Sequence, residues 1–287
     1  MIVFPIGDLL DEQACYDYLK ELLHPDGFTC PEGHELPPGQ APHKFQNREA
    51  VVDFKCRCCR KVFNIFTDTV WSGSAYPCST IILMLRGFVQ GTSTLHLSKE
   101  LGIDYGTLLG RRHAFQKNAY ENRSLDALSD NNVETDEMFQ NAGEKGIPHL
   151  DPEDPPRVRA NKKVGIGTMK NDRPPVFGAV GRESGEIRLE VCDGTKQSII
   201  QPEVEKKTKE TANIYSDEST AYNKVAATGR GHATVTHSKK EYARDDDGDG
   251  IREVHCNTME GIWTGLRNFL RPFRGVSKNY SLMCALR

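Results

Sequence analysis

Between Phe28 and Phe66 the chain alternates glycine and proline with short β-type pieces, such as Val51-Val52-Asp53-Phe54 and Lys61-Val62-Phe63, and carries Cys56-x2-Cys59. A stretch this rich in loops has too little apolar surface to make its own core, so something must staple it. The Cys-x2-Cys spacing lets two thiolates of one tight turn reach a single tetrahedral ion, which is half of a zinc site. Upstream lies Cys30-Pro31-Glu32-Gly33-His34. A cysteine at position 33 would complete an ordinary knuckle, but glycine stands there, and His34 becomes the preferred fourth ligand. The expected set is Cys30, His34, Cys56 and Cys59, with His43 in reserve and Cys58 able to substitute locally for Cys59. Four protein ligands leave no open position for substrate, so the zinc role is structural.

The other cysteines, Cys15, Cys78, Cys192, Cys256 and Cys284, stand alone and read as small buried hydrophobes. Nine cysteines, irregularly spread over 287 residues, do not fit a secreted disulfide scaffold. No run approaches the roughly 18 apolar residues of a membrane-spanning helix. Met1 to Leu10 lacks the basic start of a secretory signal, so a cytoplasmic protein is expected. The net charge of −3 excludes binding of nucleic acid by bulk charge. The basic residues are nevertheless clustered: Lys44, Arg48, Lys55, Arg57, Arg60 and Lys61 early, and Arg267, Arg271, Arg274, Lys278 and Arg287 at the end.

The apolar stripe of Leu9, Leu10, Tyr16, Leu19, Leu22 and Leu23 predicts a helix over 8–23 that stops before the turn residues His24-Pro25-Asp26-Gly27. A helix over 79–90, a second capped near Ser93 and running to Leu101, and a third opened by Asp104 and running to about Asn122 give helix, Gly102 turn, helix. That is the outline of a helix-turn-helix, whose last helix would offer Arg111, Arg112, His113, Gln116 and Lys117 to phosphates or base edges. Beyond Asn131 the texture turns to β, with strands expected over 133–139, 164–169, 176–181 and 187–191, and a proline-rich surface loop over 143–160. A helix over 198–209, a short strand at 214–216, another at 233–237 and a helix over 259–269 follow. Adjacent strands, then helix, strand and helix, is the order of an RNase H-like α/β domain. The expected divisions are 1–70 (helix and zinc ribbon), 71–124 (helix-turn-helix) and 125–287 (catalytic domain).

Within that last part, Asp136 in Val-Glu-Thr-Asp-Glu and Asp217 in Tyr-Ser-Asp-Glu end two strands, and Glu260 in Asn-Thr-Met-Glu-Gly-Ile-Trp opens the final helix. Carboxylates at neighbouring strand ends and on a packed helix can converge on two Mg²⁺ ions about 4 Å apart, which clamp an in-line attack on a phosphodiester. Arg267 lies two turns beyond Glu260 on roughly the same face and is placed to meet the phosphate backbone.

Taken together, Cys30…Cys56-x2-Cys59, the segment from Phe63 to Trp71, the helix-turn-helix and the three acidic motifs resemble bacterial insertion-sequence transposases with an N-terminal zinc ribbon and a DDE catalytic domain, the ISXO2-like group. The resemblance runs from about Leu19 to the end. It implies an RNase H-like domain that uses Mg²⁺ or Mn²⁺, structural Zn²⁺, and cut-and-join chemistry on double-stranded DNA at terminal inverted repeats by a homo-oligomer. It also implies catalytic Asp136, Asp217 and Glu260, with Asn257 a rival third ligand because some members use Asn there. DNA contacts are expected from Arg111, Arg112, Lys117, Arg267 and Arg271. Relatives continue past the position of Arg287 with another helix. Two alternatives stay open: a domesticated or inactive DNA-binding relative, and a nuclease that cuts without joining. Asp245, Asp247, Asp249 and Gly250 imitate the start of a calcium loop, but its twelfth position is Cys256 rather than Glu, and an acidic hairpin tip is expected. No P-loop or Gly-x-Ser-x-Gly elbow is present.

Overall fold

A computed structural model describes residues 11–142, 167–171, 173–273 and 276–277. The expected loop over 143–160, the first half of the expected strand over 164–169, the start of the first helix, and Arg274, Lys278, Cys284 and Arg287 lie outside the described residues. The other half of that strand is corrected, since Gly167 and Thr168 join no sheet and Met169–Asn171 is a short 3-10 turn. The chain divides into two compact units, Met1–Asn118 and Ala119–Arg287.

In the first unit α1 (Glu12–Leu23) opens at Asp11, whose carboxylate accepts hydrogen bonds from the N–H groups of Gln13 and Ala14. Strands β1 (Lys44–Phe45), β2 (Val52–Lys55) and β3 (Val62–Phe63) form a small antiparallel sheet. Three helices follow: α2 (Cys78–Val89), α3 (Thr94–Leu101) and α4 (Tyr105–Glu121). Ser93 caps α3, and Gly102, at φ 65°, ends it in the left-handed conformation that glycine adopts most readily. Asp104 accepts a hydrogen bond from the Thr107 N–H at 2.8 Å and starts α4. Tyr16 and Leu19 of α1, Ile65, Phe66 and Trp71, the apolar face of α2, Leu97 and Leu108 make one core. Glu12 ties α1 to α2 by accepting from the N–H of Cys78 at 2.8 Å. Cys30, Cys56 and Phe63 form a separate small cluster within the ribbon.

In the second unit β4 (Asn132–Phe139), β5 (Pro175–Gly181), β6 (Ile187–Val191), β7 (Asn213–Ser216) and β8 (Gly231–Thr234) form a mixed sheet in the order β6-β5-β4-β7-β8. The β4–β5 and β5–β6 pairs are antiparallel, whereas β4–β7 and β7–β8 are parallel. Two hairpin-linked neighbours plus two parallel strands is the RNase H-like topology. Helix α5 (Gln197–Lys207) covers one face through Ile200 and Val204, which pack with Val133, Phe177 and Ile214. Helix α6 (Asn257–Leu270) covers the other through Met259, Trp263, Leu266 and Phe269, which pack with Met138, Val176 and Val180. The period-two alternation of β4 and β5 therefore supplies both cores from the same strands. A hairpin of β9 (Ala243–Arg244) and β10 (Val254–His255) precedes α6, and the acidic residues 245–249 form its tip, as expected.

The helix-turn-helix requires one correction. Arg112 is 3% exposed, stacks on the Phe88 ring at 4.7 Å and donates to the Thr92 carbonyl. Gln116 is buried as well. Both lie on the inward face of α4 beside the core residue Leu108, so neither is presented to a ligand from that helix. Arg111 is half-buried and donates to the Val70 carbonyl at 3.1 Å. Lys117 and His113 remain exposed.

Candidate active site

Strand β4 sends Glu134, Asp136 and Met138 to the α6 side of the sheet and Val133 and Glu137 to the α5 side. In the parallel β4–β7 pair Glu134 stands beside Tyr215. Extending that register by two residues sets Asp136 level with Asp217, on neighbouring strands about 5 Å apart. Asp217 stands one residue beyond β7 and accepts from the N–H of Ser219 at 2.9 Å, an Asx turn that ends the strand. Glu260 occupies the first turn of α6, half exposed, with His237 Nε2 3.8 Å from its Oε1.

The electrostatics report the same convergence. Burial pushes the Asp136 carboxyl up to about 6, and the charges of Asp217 and Glu260 push it the same way. Its neighbour Glu137 is pushed up to about 8 by burial, against the pull of a hydrogen bond donated by Tyr222. Burial, with the charges of Glu134, Asp136 and Asp217, also raises the Cys256 thiol. A buried carboxylate pushed up by the charges of neighbouring carboxylates marks a place suited to cations. Among the described residues the oxygens of Asp136, Asp217 and Glu260 do not all fall within 4.8 Å of one another. Two ions about 4 Å apart do not require a closer approach.

Sequence reasoning missed Glu134. Its carboxylate is fully buried and accepts from the N–H of Thr258 at 2.8 Å, from Thr258 Oγ1 at 2.9 Å and from the N–H of Met259 at 3.2 Å. A strand residue thus supplies the cap of α6, where the helix dipole favours an anion. Arg182 donates Nε to the same carboxylate at 2.9 Å, gives its other donors to the carbonyls of Glu253 and His255, and lies over the Tyr215 ring at 3.9 Å. Burial and the Arg182 charge hold His255 below its ordinary pKa, and its Nδ1 lies 3.3 Å from Arg182 Nη2, the geometry of an acceptor. The only sequence signal was position: Glu134 shares a strand face with Asp136.

The ribbon assembles the expected ligand set. One atom from each of Cys30, His34, Cys56 and Cys59 lies within 4.8 Å of the others. Cys30 Sγ is 3.8 Å from Cys59 Sγ and 3.2 Å from His34 Nδ1, and Cys56 Sγ is 3.7 Å from His34 Nδ1. A tetrahedral ion with bonds of about 2.3 Å to sulfur has sulfur–sulfur edges of about 3.8 Å, so the donor set fits zinc. Gly33 has φ 76°, the conformation that folds His34 back toward Cys30. The Cys59 N–H lies 3.5 Å from Cys56 Sγ and lowers that thiol to about 6, toward the thiolate a metal takes. Asp245, Asp247 and Glu253 form a second acidic group within the same distance limit at the hairpin tip. Arg267 and Arg271 are exposed.

The expectation that Asp136 ends its strand is corrected, because it lies within β4 with three further residues paired to β5 beyond it, whereas Asp217 does stand just past β7. The sheet order and the helices on both faces define an RNase H-like domain. The family model of the ISXO2-like transposase domain matches residues 128–282, more than half of the chain, and the chain belongs to that family of insertion-sequence transposases. An uncharacterized protein in transposable element ISH50 of Halobacterium salinarum is 26% identical over 282 residues, covering 96% of this chain and 89% of the relative. A chain in a cryo-electron microscopy structure of the simian T-cell lymphotropic virus intasome with PP2A regulatory subunit B56 gamma shows 14% identity and a TM-score of 0.31. That alignment covers 71% of this chain and 66%, just under two thirds, of the other. No helix among the described residues is long and apolar enough to cross a membrane.

Proposed function

We propose that the protein cuts and joins DNA at the ends of an insertion sequence, using Asp136, Asp217 and Glu260 to hold two divalent cations. The observation that carries this reading is the parallel β4–β7 register that sets Asp136 level with Asp217, with the charges of Asp217 and Glu260 acting on Asp136, in a chain of a transposase family. Bound Mg²⁺ or Mn²⁺ supplies activation of the attacking oxygen and charge stabilisation of the leaving one in an in-line displacement. Asp136 from within β4 and Asp217 from just beyond β7 hold their side of the site, and Glu260 closes it from α6. Glu260 is preferred to Asn257 because its charge acts on Asp136. Water first hydrolyses a phosphodiester and frees a 3′-hydroxyl. That hydroxyl then attacks a target phosphodiester and displaces the 3′ oxygen of the target strand.

Exposed Lys117, Arg267 and Arg271 are the proposed DNA contacts, half-buried Arg111 could add one, and buried Arg112 makes none. The working species is proposed to be a homo-oligomer on paired transposon ends, with 1–70, 71–124 and 125–287 serving as ribbon, helix-turn-helix and catalytic segments. Incubation of labelled terminal-repeat DNA with protein and Mg²⁺ or Mn²⁺ tests the reading: nicked and strand-transferred products are expected. Nicking without joining would reduce the protein to a nuclease, and neither product would refute the assignment. Replacing Arg267 by alanine is expected to weaken binding and to lower the log–log salt slope by about one unit. An unchanged slope would move the DNA surface elsewhere.

Cys30, His34, Cys56 and Cys59 are proposed to hold one structural zinc ion. Untreated purified protein should carry about one equivalent, and Cys56→Ser should lose most of it and open the segment over 28–66 to proteolysis. Less than about half an equivalent in the unaltered protein would count against the site.

A further inference from the structure

Trp263 takes no part in the reading above, yet it touches the centre of the proposed site. Its indole Nε1 donates to Asp136 Oδ2 at 2.8 Å, and the residue is 2% exposed. The ring rests on Gly178, which stands opposite Asp136 in the β4–β5 ladder. A Cβ built on Gly178 would lie 2.6 and 2.7 Å from two carbons of that ring, so glycine is the residue that lets the indole approach the strand. Trp263 follows Glu260 by three residues on the same helix, a spacing that puts both on one side of α6. The indole is therefore fixed by the sheet beneath it and by the helix that carries it, and its single donor is spent on Asp136.

We propose that Trp263 is a positioning residue for Asp136: its N–H sets the orientation in which that carboxylate meets a divalent cation and couples it to Glu260 across the strand–helix boundary. The inference rests on the proposed cation site at Asp136. A donor that orients a metal-binding carboxylate from behind typically changes metal affinity by about 10–100-fold when removed. A tryptophan that acted only through its bulk would keep that affinity when the N–H alone is removed.

Mn²⁺ binding to the full-length, zinc-loaded protein, followed by the paramagnetic resonance signal of the free ion, separates these roles. The component lost in Asp136→Asn defines the site. W263F should weaken that component at least about tenfold. Replacement of Trp263 by benzothienylalanine, which keeps the bicyclic ring and puts sulfur in place of the N–H, should weaken it equally while leaving thermal stability near that of the parent. Loss with phenylalanine but not with benzothienylalanine would assign Trp263 to packing and overturn the proposal. Unchanged affinity in both would overturn it while leaving the cation site intact. No Asp136-dependent component in the unaltered protein would overturn the proposal together with the reading beneath it.

Discussion

Asp136→Asn is expected to lower DNA cleavage and strand transfer by about a thousandfold or more, beyond the 10–100-fold typical of groups one shell further out, while leaving DNA binding nearly unchanged. The amide keeps the shape and can still accept from Trp263, so the loss isolates the charge. The same substitution should not destabilise the protein. Burial holds the Asp136 carboxyl up at about 6 in the folded chain, above its ordinary value of 3.8, so its ionised form opposes folding. That penalty is complete above about pH 6 and vanishes below about pH 4. Thermal melts without Mg²⁺ should therefore show the Asp136→Asn variant more stable than the parent at pH 7 and equal to it near pH 4. A variant that cleaves at the parental rate, or that loses stability at pH 7, would contradict the assignment of a buried, cation-seeking carboxylate.

Glu134→Ala carries the largest expected cost in stability. It removes an anion that caps α6 through Thr258 and Met259 and leaves the Arg182 guanidinium, 18% exposed, without its carboxylate. Breaking a buried pair on one side costs about 3–5 kcal/mol. At roughly 2–4 °C per kcal/mol for a unit of this size, the melting temperature should fall by about 10 °C. Activity should fall with it even at temperatures where the variant is folded, because a frayed first turn displaces Glu260. Glu134→Gln, which keeps an acceptor for the helix N–H groups, should cost less. A melt within about 2 °C of the parent for Glu134→Ala would show that α6 is held by its apolar face alone.

The contrast between these two acidic residues explains how much of the site could be seen in the sequence. Asp136 and Asp217 were legible as candidates because each follows strand-forming residues, and Glu260 because it opens an amphipathic helix, although Asp136 lies within its strand rather than at the end. The Cys30, His34, Cys56 and Cys59 cluster was legible because both knuckles are local in sequence, although Gly33 stands where an ordinary knuckle has cysteine. Glu134 was not legible: in Val-Glu-Thr-Asp-Glu it reads as an ordinary polar position, and its partners Arg182 and Thr258 lie about 50 to 125 residues away. Arg112 failed in the opposite direction. A cation late in a helix-turn-helix reads as a phosphate contact, whereas here an aromatic face and a backbone carbonyl make burial tolerable. The strands over 133–139, 176–181 and 187–191 emerged nearly as read, since turn residues bound each one. Their order needed the pairing itself, because the parallel β4–β7 contact joins segments separated by a whole helix.

One strand supplies both the cap of α6 and the first acid of the proposed site, from alternate residues on a single face. A one-residue insertion or deletion within Asn132–Phe139 would rotate every later side chain to the opposite side of the sheet, presenting helix α6 with a different set of groups. Copies of this gene that drift by gaining or losing codons can therefore remain functional only where that eight-residue phase survives intact.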